Sequence, residues 1–277
     1  MQRHLVIVTG GASGIGRATA LAFASEGSYR VVAADHDEAA GEQLEGEARD
    51  KGLDLRFLAA DFAHPSACAE VVAASTAWAG GAPVRVLVNN VGVQTDNGKP
   101  VHLLAEDDWD HVQNVNLKSY FLMAKHSLLS GMLGSAAAAA GGGSGGGGGG
   151  GAIINIGSVQ GRQSQVGIPA YAASKGAVAS LTRQMAMDYS SHGVRTVCVS
   201  PGTIRTDLVE SLVEQDGTTC EALGALYPLG RMGSPEDVAD LCLFLASDRA
   251  RNITGVDFAC DGGIMAMGSW NARVGLQ

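Results

Sequence analysis

The chain has 277 residues, room for one α/β domain but not for several large ones. Its 46% hydrophobic content can fill a single core, and 17% charged residues exclude disorder along the whole length. A formal charge of −9, without any run of Lys or Arg, disfavours nucleic acid, an anionic membrane or an acidic carrier protein as partner.

In chain order, short β-rich runs alternate with helix-length patterns. Strands are predicted at 4–9, 30–34, 53–60, 85–89, 152–156, 194–200 and 254–259, and helices at 14–26, 37–51, 65–79, 106–132, 170–191 and 235–247. Several of the strands are unbroken Val, Ile and Leu, as strands covered on both faces require. This alternation predicts a doubly wound, Rossmann-type α/β sandwich with a seven-stranded parallel sheet, in one domain spanning 1–277. The apolar run Leu5-Val6-Ile7-Val8 is too short for a secretory leader. No stretch approaches the ~20 apolar residues of a membrane span, so a cytoplasmic protein is expected.

Segment 134–151 departs from the alternation, with eleven Gly, five Ala and two Ser. Such a stretch buries no side chains and has high backbone entropy, so a flexible low-complexity loop is expected. It joins the end of a helix to the start of a strand. That places it at the amino edge of the sheet, away from the carboxyl ends where open α/β sheets bind ligands. The five cysteines (Cys68, Cys198, Cys220, Cys242, Cys260) form no CxxC, and the seven histidines form no HxxxH. Neither a metal site nor a disulfide framework is expected.

The first strand runs into Thr9-Gly10-Gly11-Ala12-Ser13-Gly14-Ile15-Gly16, which opens a helix. Glycines there let the backbone turn tightly and approach a pyrophosphate, whose charge meets free N–H groups at the helix N-terminus. Gly10, Ser13, Gly14, Ile15 and Gly16 are therefore candidate dinucleotide contacts. Asp35 follows the second strand. A carboxylate there accepts hydrogen bonds from ribose hydroxyls and repels a 2′-phosphate, which favours NAD over NADP. The competing reading of Asp35 is an ordinary turn aspartate beginning the next helix.

The spacing Gly10-x3-Gly14-x-Gly16, with Asn89-Asn90-Val91-Gly92, Asn116, Ser158, Tyr171-x3-Lys175, Pro201-Gly202 and Asp261-Gly262-Gly263 in order, resembles the classical short-chain dehydrogenases/reductases. The resemblance covers the chain outside 134–151. It departs at Val91, where the family usually has Ala, and at the Gly/Ala insertion. It implies NAD(P)-dependent interconversion of a secondary alcohol and a ketone, with Asn116, Ser158, Tyr171 and Lys175 as the catalytic set. It also implies that Asp61 and Phe62 contact adenine, and that Asn89 and Gly92 flank the adenosine ribose and the middle of the cofactor. Pro201 and Gly202 would lie along the nicotinamide, with Thr203 and Thr206 on its carboxamide or on phosphates; for these positions simple turn chemistry competes equally. Tyr171 and Lys175 would also touch the cofactor.

Physical chemistry supports the catalytic set independently. Tyr171 and Lys175 are four apart in a helical stretch and share a face. A free tyrosine, with a pKa of about 10, is a poor base at neutral pH. An ammonium ~5 Å away at an effective dielectric of ~20 favours the phenolate by roughly 3 kcal/mol, about two pK units. Tyr171 would then take a proton from an alcohol, and Ser158 would bond the substrate oxygen. An amide at Asn116 inside the long helix would hold a water linking Lys175 to solvent.

Gln94, Gln160, Gln163 and Gln165 fall just beyond strand ends, and amides there suit a sugar, polyol or small hydroxy acid. Segment 204–229 would form a lid of short amphipathic helices. Small residues crowd the first half of 171–191, and by resemblance this helix and the long one before it form a dimer seam, so a homo-oligomer, dimer or tetramer, is expected. Two rivals stand beside the main reading. An NADPH-dependent 3-oxoacyl-carrier reductase needs a basic docking patch, and the net charge and Asp35 speak against it. A non-catalytic dinucleotide-binding regulator is opposed by the intact Ser-Tyr-Lys-Asn set.

Overall fold

The computed structural model describes residues 3–96, 98–134, 150–215 and 217–268. Seven strands form one parallel sheet: β1 His4–Thr9, β2 Tyr29–Asp35, β3 Leu55–Ala59, β4 Val84–Asn89, β5 Gly151–Ile156, β6 Val194–Pro201 and β7 Asp257–Cys260. Their order is β3-β2-β1-β4-β5-β6-β7, the doubly wound arrangement read from the sequence. The helices are α1 Gly14–Ser25, α2 Glu38–Asp50, α3 Pro65–Trp78, α4 Glu106–Gln113, α5 Ser119–Ser127, α6 Pro169–Tyr189, α7 Asp207–Gln215, α8 Cys220–Gly224 and α9 Pro235–Ala246.

The strands are apolar throughout because the sheet is covered on both faces. On β1, Val6 and Val8 pack with Phe23, Val31 and Leu245 on one side. Leu5 and Ile7 pack with Val71, Met123 and Leu128 on the other. Helices α1 and α9 pair over the first face, and α3 and α5 over the second. A capping box closes the start of α9, where Ser234 and Asp237 satisfy each other's backbone N–H and Pro235 takes the first turn.

Several boundaries move for local reasons. Leu53 donates its N–H to Ala48 O, so it ends α2 rather than beginning β3. Gly255 has φ +71°, which breaks the strand predicted at 254–259 and delays β7 to Asp257. The long helix predicted at 106–132 carries two single-turn π segments, Asn114–Lys118 and Leu128–Met132. The predicted lid does contain two short helices, α7 and α8. Of the Gly/Ala stretch, residues 135–149 lie outside the described residues. Its ends meet at the amino edge of the sheet, where Gly150 N–H donates to Met132 O at 2.9 Å.

Among the described residues no helix is long and apolar enough to cross a membrane, and no group of three His, Cys, Asp or Glu could hold a metal ion. All five cysteines carry free thiols. The chain changes faces of the sheet between α2 and α3 and then enters β4, which lies beside β1. The carboxyl ends of these two strands open the crevice in which the site is built.

Candidate active site

The glycine turn between β1 and α1 is shaped by backbone contact. A Cβ on Gly16 would lie 1.8 Å from Gly10 O, and one on Gly10, which has φ +62°, would lie 2.8 Å from Val91 Cα. Only glycine fits at either position. Ser13 is the N-cap of α1, yet its exposed hydroxyl makes no capping bond. Asp35, buried at the end of β2, accepts Ala12 N–H at 3.1 Å and Asp37 N–H at 3.2 Å, and pairs with His36 Nδ1 at 3.0 Å. Its carboxylate therefore holds the glycine turn against β2. From the segment after β6, Thr206 reaches the same turn, its methyl 3.1 Å from where a Gly14 Cβ would stand.

Across the crevice, the exit of β4 is tied to β1 by Asn90. Its Nδ2 donates to Thr9 O and Gly10 O, both at 3.0 Å, while its own N–H donates to Thr9 Oγ1. The neighbouring Asn89, by contrast, is fully buried. The Asn89 amide donates to Asn155 Oδ1 at 2.9 Å and Tyr120 O at 3.3 Å, inside the protein. Strand alternation explains the difference: Asn89 shares the Leu87 face, which packs toward α5, whereas Asn90 lies past the strand end. Phe62 turns inward as well. Its side chain is buried in the core with Ala67, Cys68 and Val71 rather than lying open toward an adenine. Asp61 is exposed and accepts Ala63 N–H at 2.9 Å.

The catalytic candidates converge at the carboxyl end of β5. Lys175 is buried in α6, and its Nζ donates to Ile156 O at 2.9 Å and to Tyr120 Oη at 3.4 Å. It lies 5.3 Å from the Tyr120 ring centroid and 5.8 Å from that of Tyr171. Ser158, just past β5, accepts Gln160 N–H at 3.1 Å and faces the Tyr171 phenol. Asn116 sits in the first π segment, where its amide clasps Val93 from both sides. Oδ1 accepts Val93 N–H at 2.8 Å, and Nδ2 donates to Val93 O at 2.8 Å and Ser174 Oγ at 3.2 Å. Gly92 completes the group: a Cβ there would stand 3.5 Å from Lys175 Nζ and 3.6 Å from Asn116 Oδ1.

The electrostatics differ from the sequence expectation. Burial pushes the Tyr171 phenol up; Ser158 pulls it back down and Asp96 adds to the rise. Burial also pulls the Lys175 ammonium down to about 8, with Cys198 opposing. Both charged forms lose water on burial, and desolvation is the largest influence on each group.

Three further residues shape this centre and were not singled out from sequence. Tyr120, four after Asn116, donates to Ile156 O at 3.2 Å and braces Lys175. Ser174 accepts from Asn116 and donates to Tyr171 O at 2.7 Å. Asp96 binds the first turn of α6. The i,i+4 spacing of Asn116 and Tyr120 was a legible signal; Asp96 offered none.

Pro201 and Gly202 end β6, and a Cβ on Gly202 would meet Asp261 Cα at 3.1 Å and the Tyr227 ring at 3.3 Å. Thr203 N–H donates to Tyr227 Oη at 3.0 Å, so the far end of segment 204–229 is fastened to this turn. The set fits a dinucleotide: a helix N-terminus with a free Ser13 hydroxyl, a carboxylate at the end of β2, and a missing side chain at Gly92 beside Lys175.

Residues 10–265 match the family model described as Enoyl-(Acyl carrier protein) reductase. The chain is 36% identical to 2-(S)-hydroxypropyl-CoM dehydrogenase 3 of Xanthobacter autotrophicus, covering 96% of this chain and 98% of that protein. It is 32% identical to a 3-oxoacyl-acyl-carrier-protein reductase, FabG, of Vibrio cholerae, covering 95% and 98% respectively. Among solved structures, a blue fluorescent protein from a metagenomic library, in complex with NADPH, superposes with a TM-score of 0.78 at 28% identity, covering 94% of this chain and 97% of that one.

Proposed function

Since the chain belongs to the short-chain dehydrogenase/reductase family, as an NAD(P)-dependent oxidoreductase of alcohol and ketone substrates, we propose that it uses NAD to interconvert a secondary alcohol and a ketone on a sugar, polyol or small hydroxy acid. The observation that carries this reading is the grouping of Lys175, Tyr171 and Ser158 around the end of β5, with Nζ 5.8 Å from the phenol ring.

In this reading a bound NAD supplies the hydride acceptor at the carbinol carbon. Gly10, Ser13, Gly14, Ile15, Gly16, Asp35 and Gly92 would hold it, together with Tyr171, Lys175, Pro201, Gly202, Thr203 and Thr206. Asp61 and the backbone of Phe62 would border the adenine end. Ser158 donates a hydrogen bond to the substrate oxygen, and Tyr171 Oη removes the hydroxyl proton, returning it in the reverse direction. Lys175 supports the phenolate while Ile156 O and Tyr120 fix its Nζ. Asn116, its amide committed to Val93 and Ser174, keeps the path from Lys175 open at the π segment.

NAD rather than NADP is supported by the Asp35 carboxylate, whose partners are two backbone N–H groups and His36, none of them a fixed cation. A hydroxyl-rich substrate is supported by Gln160 and Gln165, joined at 3.4 Å, and by Arg162 being committed to Asp257 at 3.0 Å. The polar reach of that loop is thus largely neutral amide. A homodimer through α5, the π segment that continues it and α6 is supported by Phe121, Leu129 and Met187, which are 49%, 70% and 80% exposed. Light scattering at micromolar concentration checks this; a strict monomer overturns it.

The deciding experiment is a cofactor-reduction screen across sugars, polyols, hydroxy acids and apolar alcohols, with NAD and NADP in parallel. Turnover of hydroxyl-rich substrates with NAD is expected. Preference for NADP overturns the role given to Asp35. Activity confined to bulky apolar alcohols overturns the substrate class, and turnover of 3-oxoacyl thioesters with NADPH in their place favours a carrier-linked reductase.

A further inference from the structure

Helix α6 carries both Tyr171 and Lys175, yet its own sequence does not close its first turn. Its N-cap residue, Ile168, has no side chain able to accept a hydrogen bond, and Pro169 at the first position has no N–H to donate. The exposed donors of the next two residues are met from elsewhere in the chain. Asp96 Oδ2 accepts Ala170 N–H at 2.8 Å and Tyr171 N–H at 3.1 Å. Asp96 is fully buried, and its Oδ1 has no hydrogen-bond partner among the described residues.

Burying a carboxylate is costly, and a shared helix cap could be supplied more cheaply by an N-cap serine. What Asp96 provides beyond a cap is a connection. It stands three residues after Val93, whose N–H and C=O are both held by the Asn116 amide at 2.8 Å. The short run from Val93 to Asp96 is therefore riveted at one end to Asn116 and at the other to the backbone of Tyr171. Ser174, one turn along α6, closes the loop by bonding both Asn116 and Tyr171 O.

We propose that Asp96 is a positioning residue for the reaction: its buried carboxylate fixes the seat of Tyr171 relative to Asn116 and places a negative charge at the base of the reacting phenol. This inference rests on the reading of Tyr171 as the acid/base. The charged and titratable groups facing Tyr171 are Lys175 from its own helix, Tyr120 from α5 and Asp96 from the exit of β4, with Ser158 opposite from the exit of β5. Of these, Lys175 in its ammonium form favours the phenolate, and Asp96 opposes it. The effect of Asp96 is to keep the phenol protonated to higher pH, ready to donate to a ketone.

Asp96→Asn and Asp96→Ala separate geometry from charge. The asparagine can still accept both N–H groups through its side-chain oxygen; the alanine cannot. Two readouts are taken on the full-length enzyme. One is hydrogen exchange at Ala170 and Tyr171. The other is Tyr171 ionisation, read as the tyrosinate absorbance of each protein minus that of its Tyr171→Phe counterpart, and as the pH dependence of kcat with the alcohol selected by the screen. For Asp96→Asn the expected result is unchanged amide protection with Tyr171 ionisation moved down by about one pH unit. For Asp96→Ala it is faster exchange at both amides and a fall in kcat of about tenfold or more, largely recovered in Asp96→Asn. An ionisation curve unmoved in Asp96→Asn, or kcat unchanged in Asp96→Ala, overturns the inference while leaving the role of Tyr171 intact. Full turnover in Tyr171→Phe alone would instead remove the reading beneath it, a result that neither Asp96 variant can mimic.

Discussion

The two halves of the crevice are built by different means. On the β1–α1–β2 side the decisive contacts are backbone on backbone, such as Gly16 against Gly10 O and Gly10 against Val91 Cα, and they arise between residues close in sequence or on adjacent strands. On the β4–β5–α6 side the decisive contacts are side chains from separate segments: Val93 with Asn116, Asp96 with Tyr171, and Lys175 with Ile156 and Tyr120. The first half is rigid because nothing larger than a hydrogen fits. The second is rigid only while a chain of buried polar groups stays satisfied. A change in the first half should act on cofactor binding and folding, and a change in the second on the chemical step and its pH dependence.

The largest expected effect tests the second half. Tyr171→Phe removes the proton carrier and leaves the packing of the ring in place, so kcat should fall by roughly a thousandfold with cofactor affinity within about twofold. Stopped-flow reduction of the cofactor together with a binding titration separates the two, and near-full turnover would mean that proton transfer lies elsewhere. Gly16→Ala tests the first half with the opposite signature. Its Cβ would stand 1.8 Å from Gly10 O, so the turn must open, at an expected cost of about 3 kcal/mol in stability and at least tenfold in cofactor affinity. If its cofactor Kd matches the wild type, the backbone account of that half is wrong.

Lys175→Met sharpens the contrast, because the same residue should cost stability while it serves the reaction. Its folded value of about 8 lies below the ordinary 10.5. Between these pH values the unfolded chain binds the extra proton and stability rises with pH. Below about 8 the penalty for a buried ammonium is fully present, on the order of 3 kcal/mol. Ile156 O keeps a donor in the variant, since Tyr120 Oη also bonds it. Lys175→Met should therefore resist urea better than the wild type at pH 7, with the gap closing toward pH 10, while kcat/KM falls by about a hundredfold. A gap that widened with pH would show that the lysine is not destabilised by burial.

This asymmetry also decides how much could be read in advance. The seven strands and the glycine turn were legible because hydrophobic runs and glycine spacing are local signals. The inward side chains of Asn89 and Phe62 were not legible, because a motif names positions, whereas strand alternation and core packing decide where a side chain points; Asn89 turns inward to Tyr120 O and Asn155. The phenol's upward shift was missed because the Tyr–Lys spacing reveals a neighbouring charge but not the water lost around both groups. Asp96 was invisible because its partner lies across the fold, and an acidic residue in a loop is ordinarily solvated.

The smallest expected effect comes from the segment that looks most unusual. Met132 O accepts Gly150 N–H at 2.9 Å, and Gly151 N–H reaches Gly193 O at 3.3 Å, so the two described ends of this segment are held together at the amino edge of the sheet. Ser158 and Tyr171 lie at the opposite edge. Four glycines at the junction have positive φ, Gly131 at +121°, Gly134 at +72°, Gly150 at +105° and Gly151 at +156°, and must be kept in any shortened form. Replacing residues 135–149 by a two- or three-residue Gly/Ser link reduces the entropy lost on closing the connection by ~0.6 kcal/mol per halving. A gain of about 1.5 kcal/mol in unfolding free energy is expected, with kcat and KM unchanged within about twofold. A loss of turnover beyond about fivefold, without a loss of stability, would tie this segment to the reaction and undo the division of the molecule into a binding edge and a closing edge.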